Sequence, residues 1–300
     1  MENSKGPIVF WNRKEGREEV EQVYGDSALQ WVYGRQPGQW LAEHVLSGAL
    51  LSRLYGIYQS SRLSEHKISA FVKEFRIPMD EYEEGPFRTF NDFFIRKFRS
   101  GVRPFVQTVG QFPAFCEARY FAFDRISPEQ KFPVKGAFLS ASALLGSEEK
   151  AKPFVGGPML LARLCPTDYH RFHFPDSGRV LESYSLHGKL HSVNPLALKY
   201  KEDILMTNER QITLLETENF GKLAYIEVGA LCVGKIVQTY AGRRIVKRGE
   251  EKGYFLFGGS TVIVLGEPGV WRPDRDLVEQ TALRRETLVL LGARVGELCS

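Results

Sequence analysis

Residues 254–265 read Tyr-Phe-Leu-Phe-Gly-Gly-Ser-Thr-Val-Ile-Val-Leu, so a Gly-Gly-Ser-Thr tetrapeptide interrupts two apolar, strand-forming runs. Two glycines weaken a strand, so we expect them where the backbone bends or where another group must come close to it. The hydroxyl of Ser260 can also attack the preceding carbonyl, because Gly259 has no side chain to block it. The stretch therefore predicts either a β-bulge or hairpin turn, or a site of self-cleavage between Gly259 and Ser260.

Composition places the chain among soluble globular proteins. It has 300 residues, 43% of them hydrophobic and 25% charged, which allows one large domain or two smaller ones. The net charge of +4 is too small to indicate a nucleic-acid partner. It is compatible with contact to an anionic membrane surface, where local clusters of basic residues matter more than the total.

Cysteine spacing and the amino terminus bear on the compartment. The four cysteines are scattered without metal-site spacing, which favours reduced thiols over a disulfide framework. The first six residues lack the basic-then-apolar pattern of a signal peptide, and no apolar run reaches the roughly 18 residues of a membrane span. We therefore expect neither signal-directed export nor an integral membrane protein.

The first hundred residues are expected to form a helical region in contact with a membrane. Leu41, Val45, Ala49 and Leu50 recur at helical intervals, and Ile68, Phe71, Val72 and Phe75 form a clearer stripe that ends before Pro78. Basic residues surround this stripe, and a third apolar and basic stretch follows at 90–99. Such helices suit a membrane interface, and they suit packing against a protein core equally well.

Residues 101–300 are expected to form a β-rich domain. Short apolar runs punctuated by glycine and proline occur at 159–164, 223–228, 235–240 and 287–291. Many short strands and few long helices indicate a barrel-like or sandwich-like domain. The predicted fold class is therefore α+β, with a membrane-associating helical layer on a β-rich catalytic domain.

Two histidines in one short segment are candidates for chemistry. His170 and His173 lie in residues 168–175, Asp-Tyr-His-Arg-Phe-His-Phe-Pro. Prolines at both ends of the segment argue against a regular helix. The chain has one other histidine pair, His187 and His191, and no carboxylate cluster that would complete a zinc site. We therefore expect no metal and favour a general acid or base role, since imidazole titrates near neutral pH.

The same segment resembles the Asp-Tyr-His-Arg-x-His-x-Pro signature of phosphatidylserine decarboxylases. Residues 257–261 resemble the self-cleavage site of that family. Further matches follow in the family's order, at 90–97, 192–195, 208–210, 228–230, 233–234, 247–250 and 253–255. The resemblance spans roughly residues 85–295 and rests on two independent motifs.

The resemblance implies a pyruvoyl enzyme made from a proenzyme. Ser260 would attack the Gly259 carbonyl, and elimination, tautomerisation and hydrolysis would leave a covalent pyruvoyl group at the start of fragment 260–300. That group would act as the electron sink for decarboxylation of phosphatidylserine to phosphatidylethanolamine. The two fragments would remain together as a heterodimer. The expected location is peripheral, on the cytoplasmic face of a bacterial membrane.

The family's Asp-His-Ser triad assigns roles to individual residues. His173 and Ser260 match its histidine and serine, and Glu117 falls at the aspartate position, where the chain departs from the family's pattern. Glutamate can orient a histidine as aspartate does. Asp124 is the second candidate for the carboxylate, and a solvated Glu117 is the structural alternative.

Three further residues complete the expected site. The resemblance gives His170 a part in decarboxylation or protonation and Asp168 a part in positioning the histidine segment. Gly258 would support the cleavage site. Two alternatives remain open on the sequence alone: an unprocessed serine hydrolase using Ser260, His173 and Glu117, and a lipid-binding protein whose catalytic centre has decayed.

Overall fold

The computed structural model describes residues 7–22, 55–126, 130–131, 138–193, 203–230, 235–240, 242, 244–258 and 260–299. Within these ranges strands predominate over helices, and the predicted α+β class is confirmed. The helical segment predicted around Leu41 and Leu50 lies outside the described residues.

The described strands, in chain order, are β1 (Val9–Asn12), β2 (Arg17–Val20), β3 (Gln111–Pro113), β4 (Ala118–Phe123), β5 (Gln130–Lys131), β6 (Phe138–Leu139), β7 (Met159–Leu164), β8 (Arg171–His173), β9 (Gly178–Leu186), β10 (Arg210–Thr217), β11 (Lys222–Val228), β12 (Ile236–Gln238), β13 (Ile245–Val246), β14 (Glu251–Phe255), β15 (Ser260–Gly266), β16 (Trp271–Pro273), β17 (Glu286–Val289) and β18 (Arg294–Leu298).

The described helices are α1 (Lys67–Phe75), α2 (Phe90–Phe94), α3 (Ala141–Leu145), α4 (Glu148–Ala151), α5 (Ile204–Thr207) and α6 (Arg275–Ala282). Residues 55–59 are also helical. Short 3-10 turns occur at Arg62–Ser64, Met79–Glu81 and Lys152–Phe154.

One large sheet organises the described part of the chain. Its ten strands run in the order β13-β9-β10-β11-β15-β7-β4-β17-β1-β2. Smaller sheets have the orders β12-β14-β8 and β16-β18-β3. β15, which begins at Ser260, lies between β11 and β7, and all seven of its residues are buried. The four strand-like runs identified in the sequence correspond to β7, β11, β12 and β17.

Of the two predicted arrangements, barrel-like or sandwich-like, the barrel is wrong, because the large sheet is open. Among the described strands it ends at β13 on one side and β2 on the other, and these two edges do not pair. Alternation of apolar and polar residues identifies strands, but it does not show which strands lie at the edges of a sheet. β2, with the sequence Arg-Glu-Glu-Val, carries the charged residues typical of a free edge strand.

The amino-terminal residues 7–22 join this sheet. β1 pairs in parallel with β17 and antiparallel with β2, through a turn in which Gly16 has a φ of 63°. The helical prediction for residues 1–100 therefore does not hold for these residues. Val9, Phe10 and Trp11 are β-branched or aromatic and favour a strand, and parallel pairing with a strand almost 280 residues later leaves no local sequence signal.

A second, smaller hydrophobic core lies beside the large one and adjoins the histidine segment. Its buried members are Phe71, Ile77, Tyr82, Phe90, Phe93, Phe94, Tyr169, Phe257 and Leu291. We call this set the aromatic cluster. The predicted helix is confirmed as α1, which ends at Phe75, and its apolar stripe packs against the aromatic cluster. Packing within the protein therefore accounts for the stripe.

Candidate active site

Ser260 lies buried at the first position of β15. It is opposite Leu164 of β7, and its neighbour Thr261 is opposite Val228 of β11. Before it, Gly258 has a φ of 145°, a conformation that residues with a side chain rarely adopt. The structure therefore explains why glycine is required at position 258, while Gly259 lies outside the described residues.

His170 is the histidine that contacts Ser260. Its Nδ1 lies 3.4 Å from the Ser260 Oγ, and its Nε2 lies 2.9 Å from the carbonyl oxygen of Cys165. Because a carbonyl only accepts hydrogen bonds, the proton resides on Nε2, and the lone pair of Nδ1 faces the serine hydroxyl. Burial, assisted by the nearby charge of Arg96, lowers the pKa of His170 to about 3, so the ring is neutral.

The turn before His170 is held by charged groups. Asp168 accepts a hydrogen bond from the backbone N–H of Cys165 at 2.7 Å and binds Arg119 through both carboxylate oxygens at 2.9 and 2.7 Å. Arg96 also donates to the carbonyl oxygen of Thr167 at 2.9 Å. These contacts fix the Cys165 carbonyl that determines the tautomer of His170.

His173 lies in a different environment from His170. Its Nδ1 is 2.9 Å from the carbonyl oxygen of Gly249, and its Nε2 is 3.4 Å from the hydroxyl of Tyr169. The carbonyl fixes the proton on Nδ1 and leaves Nε2 as the basic atom. Burial lowers the pKa of His173, so this ring is also neutral. The hydrogen bonds of the described residues do not connect it to Ser260.

Glu117 is half-buried, and its partners are not histidines. Its carboxylate binds Arg103 at 2.6 and 3.1 Å and accepts from the backbone N–H of Leu291 at 3.2 Å. Burial raises its pKa, and the hydrogen bond from Arg103 offsets only part of this effect. The expected hydrogen bond to His173 is not among its contacts, and the other candidate, Asp124, lies exposed after β4.

Two residues next to the site had no role assigned from the sequence. The side-chain oxygen of Asn91 accepts from the backbone N–H of Phe257 at 2.8 Å and fixes the chain just before the glycine pair. The ring of Phe94 stacks on His170, with centroids 3.7 Å apart. Both residues belong to the 90–97 segment, which the sequence already matched to the family. Nothing in the sequence showed that the helix formed by this segment reaches the cleavage site.

The described residues contain neither a metal site nor a membrane-spanning helix. No group of three or more histidine, cysteine or acidic side chains there is arranged to hold a metal ion. The described helices are all too short or too polar to cross a bilayer. His191 of the second histidine pair is held through its backbone, which exchanges two hydrogen bonds with the Asn208 side chain.

A family model described as phosphatidylserine decarboxylase matches residues 90–297. The chain belongs to the phosphatidylserine decarboxylase family. This confirms the resemblance and makes the chain a member of a family of decarboxylases. The match covers the histidine segment and β15, and every residue of the site described above lies within it.

Relatives extend the similarity over nearly the whole chain. A protein of Clostridium novyi (strain NT) is 39% identical over 291 residues, which cover 96% of this chain and 99% of the relative. One of Clostridium tetani (strain Massachusetts / E88) is 40% identical over 296 residues, 98% of this chain and 99% of the relative. Both are named phosphatidylserine decarboxylase proenzyme.

Proposed function

We propose that the chain is a proenzyme that cleaves itself between Gly259 and Ser260 and then decarboxylates phosphatidylserine to phosphatidylethanolamine. The observation that carries the proposal is the contact between Ser260 and the neutral His170, at the site of the family's motif. A buried serine two residues after a glycine at φ 145°, beside an imidazole whose lone pair faces its hydroxyl, suits both nucleophilic attack and later proton transfer.

The cleavage uses atoms of this chain and one water molecule. Ser260 Oγ attacks the carbonyl carbon of Gly259, and the amide bond to the Ser260 nitrogen is exchanged for an ester. Removal of the Ser260 α-proton then breaks the Cβ–Oγ bond and releases Gly259 as a carboxylate. The remaining dehydroalanine tautomerises, and hydrolysis releases ammonia and leaves a ketone at residue 260.

The base of the cleavage step is assigned by the family pattern to His173, supported by a carboxylate at position 117. The tautomer of His173 suits this role, because Gly249 holds the proton on Nδ1 and leaves Nε2 free to accept one. The step requires Nε2 to exchange the Tyr169 hydroxyl for the Ser260 hydroxyl. It also requires Glu117 to leave Arg103, so we propose that these side chains rearrange before cleavage.

The residues around position 260 fit a pyruvoyl group. The site is buried, small at Gly258 and lined by the stacked rings of Phe94 and His170. When formed, the group supplies a ketone that takes up the substrate's amine and accepts electrons as carbon dioxide leaves. We propose that Nδ1 of His170, whose lone pair faces the residue 260 side chain, takes up a proton released from the substrate's amine and then passes it to the product. Asp168 and Arg119 keep that ring in place.

The two fragments are proposed to stay together as a heterodimer. Fragment 260–300 supplies β15, which is inserted between β11 and β7, and β17, which is inserted between β4 and β1. A buried ion pair between Arg163 and Glu286 at 2.5 Å also joins the fragments. β18 of the smaller fragment also pairs with β3 of the larger one. Separating the fragments would therefore break five strand interfaces, so cleavage leaves the sheets intact.

A membrane surface is proposed as the second partner. Ile57 and Leu63 are exposed by 60% and 74% in a segment that also carries the exposed Arg62. The segment is close to the active site, because the ring of Tyr55 lies 5.8 Å from that of Phe257. Exposed apolar and basic side chains beside the site suit an anionic lipid surface. The relatives are bacterial proteins, which supports peripheral attachment to the cytoplasmic face of a bacterial membrane.

The proposed activity is tested by incubating purified protein with vesicles that contain carboxyl-labelled phosphatidylserine. We expect release of labelled carbon dioxide and formation of phosphatidylethanolamine by the wild type, and neither by Ser260→Ala. Intact phosphatidylserine with the wild type would favour a lipid-binding protein. Release of fatty acid from the vesicles by an uncleaved chain would favour the serine hydrolase.

A further inference from the structure

A fully buried ion pair lies beside the active site and has no part in the chemistry described above. The Lys252 Nζ lies 2.5 Å from Oε1 of Glu227, and both side chains have no exposed surface. Gln238 joins them, accepting from Lys252 at 2.8 Å and donating to Glu227 at 3.3 Å.

Aromatic rings enclose the ammonium group. Its distances to the ring centroids are 5.0 Å for Tyr225, 5.4 Å for Tyr240, 5.7 Å for Phe172 and 5.8 Å for Phe174. Burial of a charged pair is weak evidence for a gain in stability, because desolvation offsets the attraction, and the best-attested role of such pairs is to fix register. Two of the four rings flank His173 in sequence, so the enclosure adjoins the histidine segment.

The pair joins the strand that precedes the cleavage site to the sheet neighbour of the strand that follows it. Lys252 belongs to β14, the last strand before the glycine pair, and Glu227 belongs to β11, where it is opposite Val262 of β15. Lys252 is the extra residue of a β-bulge, since Glu251 is opposite His173 and Gly253 is opposite Phe172. The bulge therefore sets the alignment of β14 with the strand that carries His173.

The strand at the bulge has little room to move. A Cβ on Gly253 would lie 2.2 Å from the carbonyl oxygen of Val237 and 2.7 Å from Cζ of Phe172. β14 is thus packed tightly between β12 and β8, so a displacement at Lys252 would move both neighbouring strands.

We propose that Lys252 and Glu227 are a positioning pair for the self-cleavage. The pair ties the bulge of β14 to β11, and so aligns the segment that carries Gly259 with Ser260 and the histidine segment. This inference rests on the proposed cleavage. It concerns residues that touch none of the reacting atoms and act through the strands that hold them.

The test measures cleavage and stability separately. The rate of cleavage is followed on denaturing gels after pulse-labelled cell-free synthesis of the wild type, Lys252→Met, Glu227→Asp and the double variant Lys252→Met/Glu227→Leu. The thermal midpoint of each is measured in the Ser260→Ala background. The matched control is Leu215→Ala, which opens a cavity in β10 opposite Leu223, at the far end of β11 from Glu227.

We expect Lys252→Met and Glu227→Asp to slow cleavage by up to about 100-fold, the effect of misplacing reacting groups by about 1 Å. The double variant Lys252→Met/Glu227→Leu should recover thermal stability, because apolar side chains restore the packing. Its cleavage should stay slow, because the ion pair between β14 and β11 is still missing. Each variant is compared with Leu215→Ala, the control of equal thermal midpoint. The inference is overturned if every variant cleaves as fast as this control. An uncleaved wild type would instead reject the proposed cleavage itself.

Discussion

The Nδ1 atom of His170 lies 3.4 Å from the hydroxyl oxygen of Ser260, while His173, three residues later, binds Tyr169 and Gly249. The two histidines of one motif therefore occupy separate environments. Both are buried and neutral, but only His170 adjoins the residue that is proposed to become the pyruvoyl group. This separation is what makes different roles for the two rings testable.

Substitution of each histidine should separate cleavage from turnover. We expect His173→Ala to remain uncleaved and His170→Ala to cleave but to lose decarboxylase activity by about 100-fold or more, the usual contribution of a general acid or base. Denaturing gels and labelled carbon dioxide release measure the two steps. An uncleaved His170→Ala beside a cleaved His173→Ala would assign the activating contact at Ser260 to His170 instead.

The role of Glu117 can be distinguished from that of its partner Arg103. If Glu117 orients His173 during cleavage, Glu117→Gln should slow cleavage by about 100-fold. Arg103→Met should leave cleavage largely intact, because it frees the carboxylate. The gel assay reports both rates, and thermal midpoints of both variants serve as the control for lost stability. Equal slowing by the two variants would show that Glu117 acts only by holding Arg103 and Leu291.

Acid should destabilise the fold through His170. Its pKa is lowered from 6.5 to about 3 by burial, so as pH falls below about 6.5 the unfolded chain takes up a proton that the folded chain does not. Between about pH 7 and pH 5 this one group should lower the free energy of unfolding by about 2 kcal/mol.

Urea unfolding of Ser260→Ala and of Ser260→Ala/His170→Gln at the two pH values measures this contribution. The single-chain background avoids the complication of two fragments. We expect the pH-dependent loss to be smaller in the double variant by about 2 kcal/mol. An equal loss in both would show that His170 is not held neutral in the folded state.

The exposed apolar residues near the site should contribute to membrane binding. Replacing Ile57 and Leu63 together by aspartate should weaken co-sedimentation with anionic vesicles, since it removes apolar contact and adds negative charge. Leu283→Asp is the matched control, because that leucine is 65% exposed after α6. If the control weakens binding as much as the double variant, the segment around residue 60 is not the contact surface.

The cleaved fragments should separate only on unfolding. Because β15 and β17 are inserted between strands of the larger fragment, we expect both fragments to elute together in native size-exclusion chromatography. Arg163→Met should leave them together, since the strand interfaces remain. Elution of a free 260–300 fragment from the native wild type would contradict the interleaved sheet.

The sequence was most informative where one short motif carries the chemistry. Ser260, His170 and Gly258 were identified from two motifs, and their proximity follows because β15 and the histidine segment converge. Helix α1 was predicted because its apolar stripe is periodic over consecutive residues. The membrane interpretation of that stripe depended on what it packs against, which periodicity does not encode.

Contacts between residues far apart in the chain could not be predicted from local sequence patterns. β1 pairs with β17 across the length of the chain, so neither this pairing nor the open edges of the sheet could be predicted from neighbouring residues. The partner of Glu117 was hidden for the same reason. Arg103 lies 14 residues away along the chain, and only the fold shows that its guanidinium occupies both carboxylate oxygens.

Intact-mass spectrometry of the denatured wild-type protein is the most direct test of self-cleavage at Gly259–Ser260. We expect two chains, 1–259 and 260–300, with the smaller one lighter by one ammonia than the same fragment beginning with serine. Ser260→Ala should give one full-length mass. A single full-length mass for the wild type, or a small fragment that begins with an unmodified serine, would contradict the proposal.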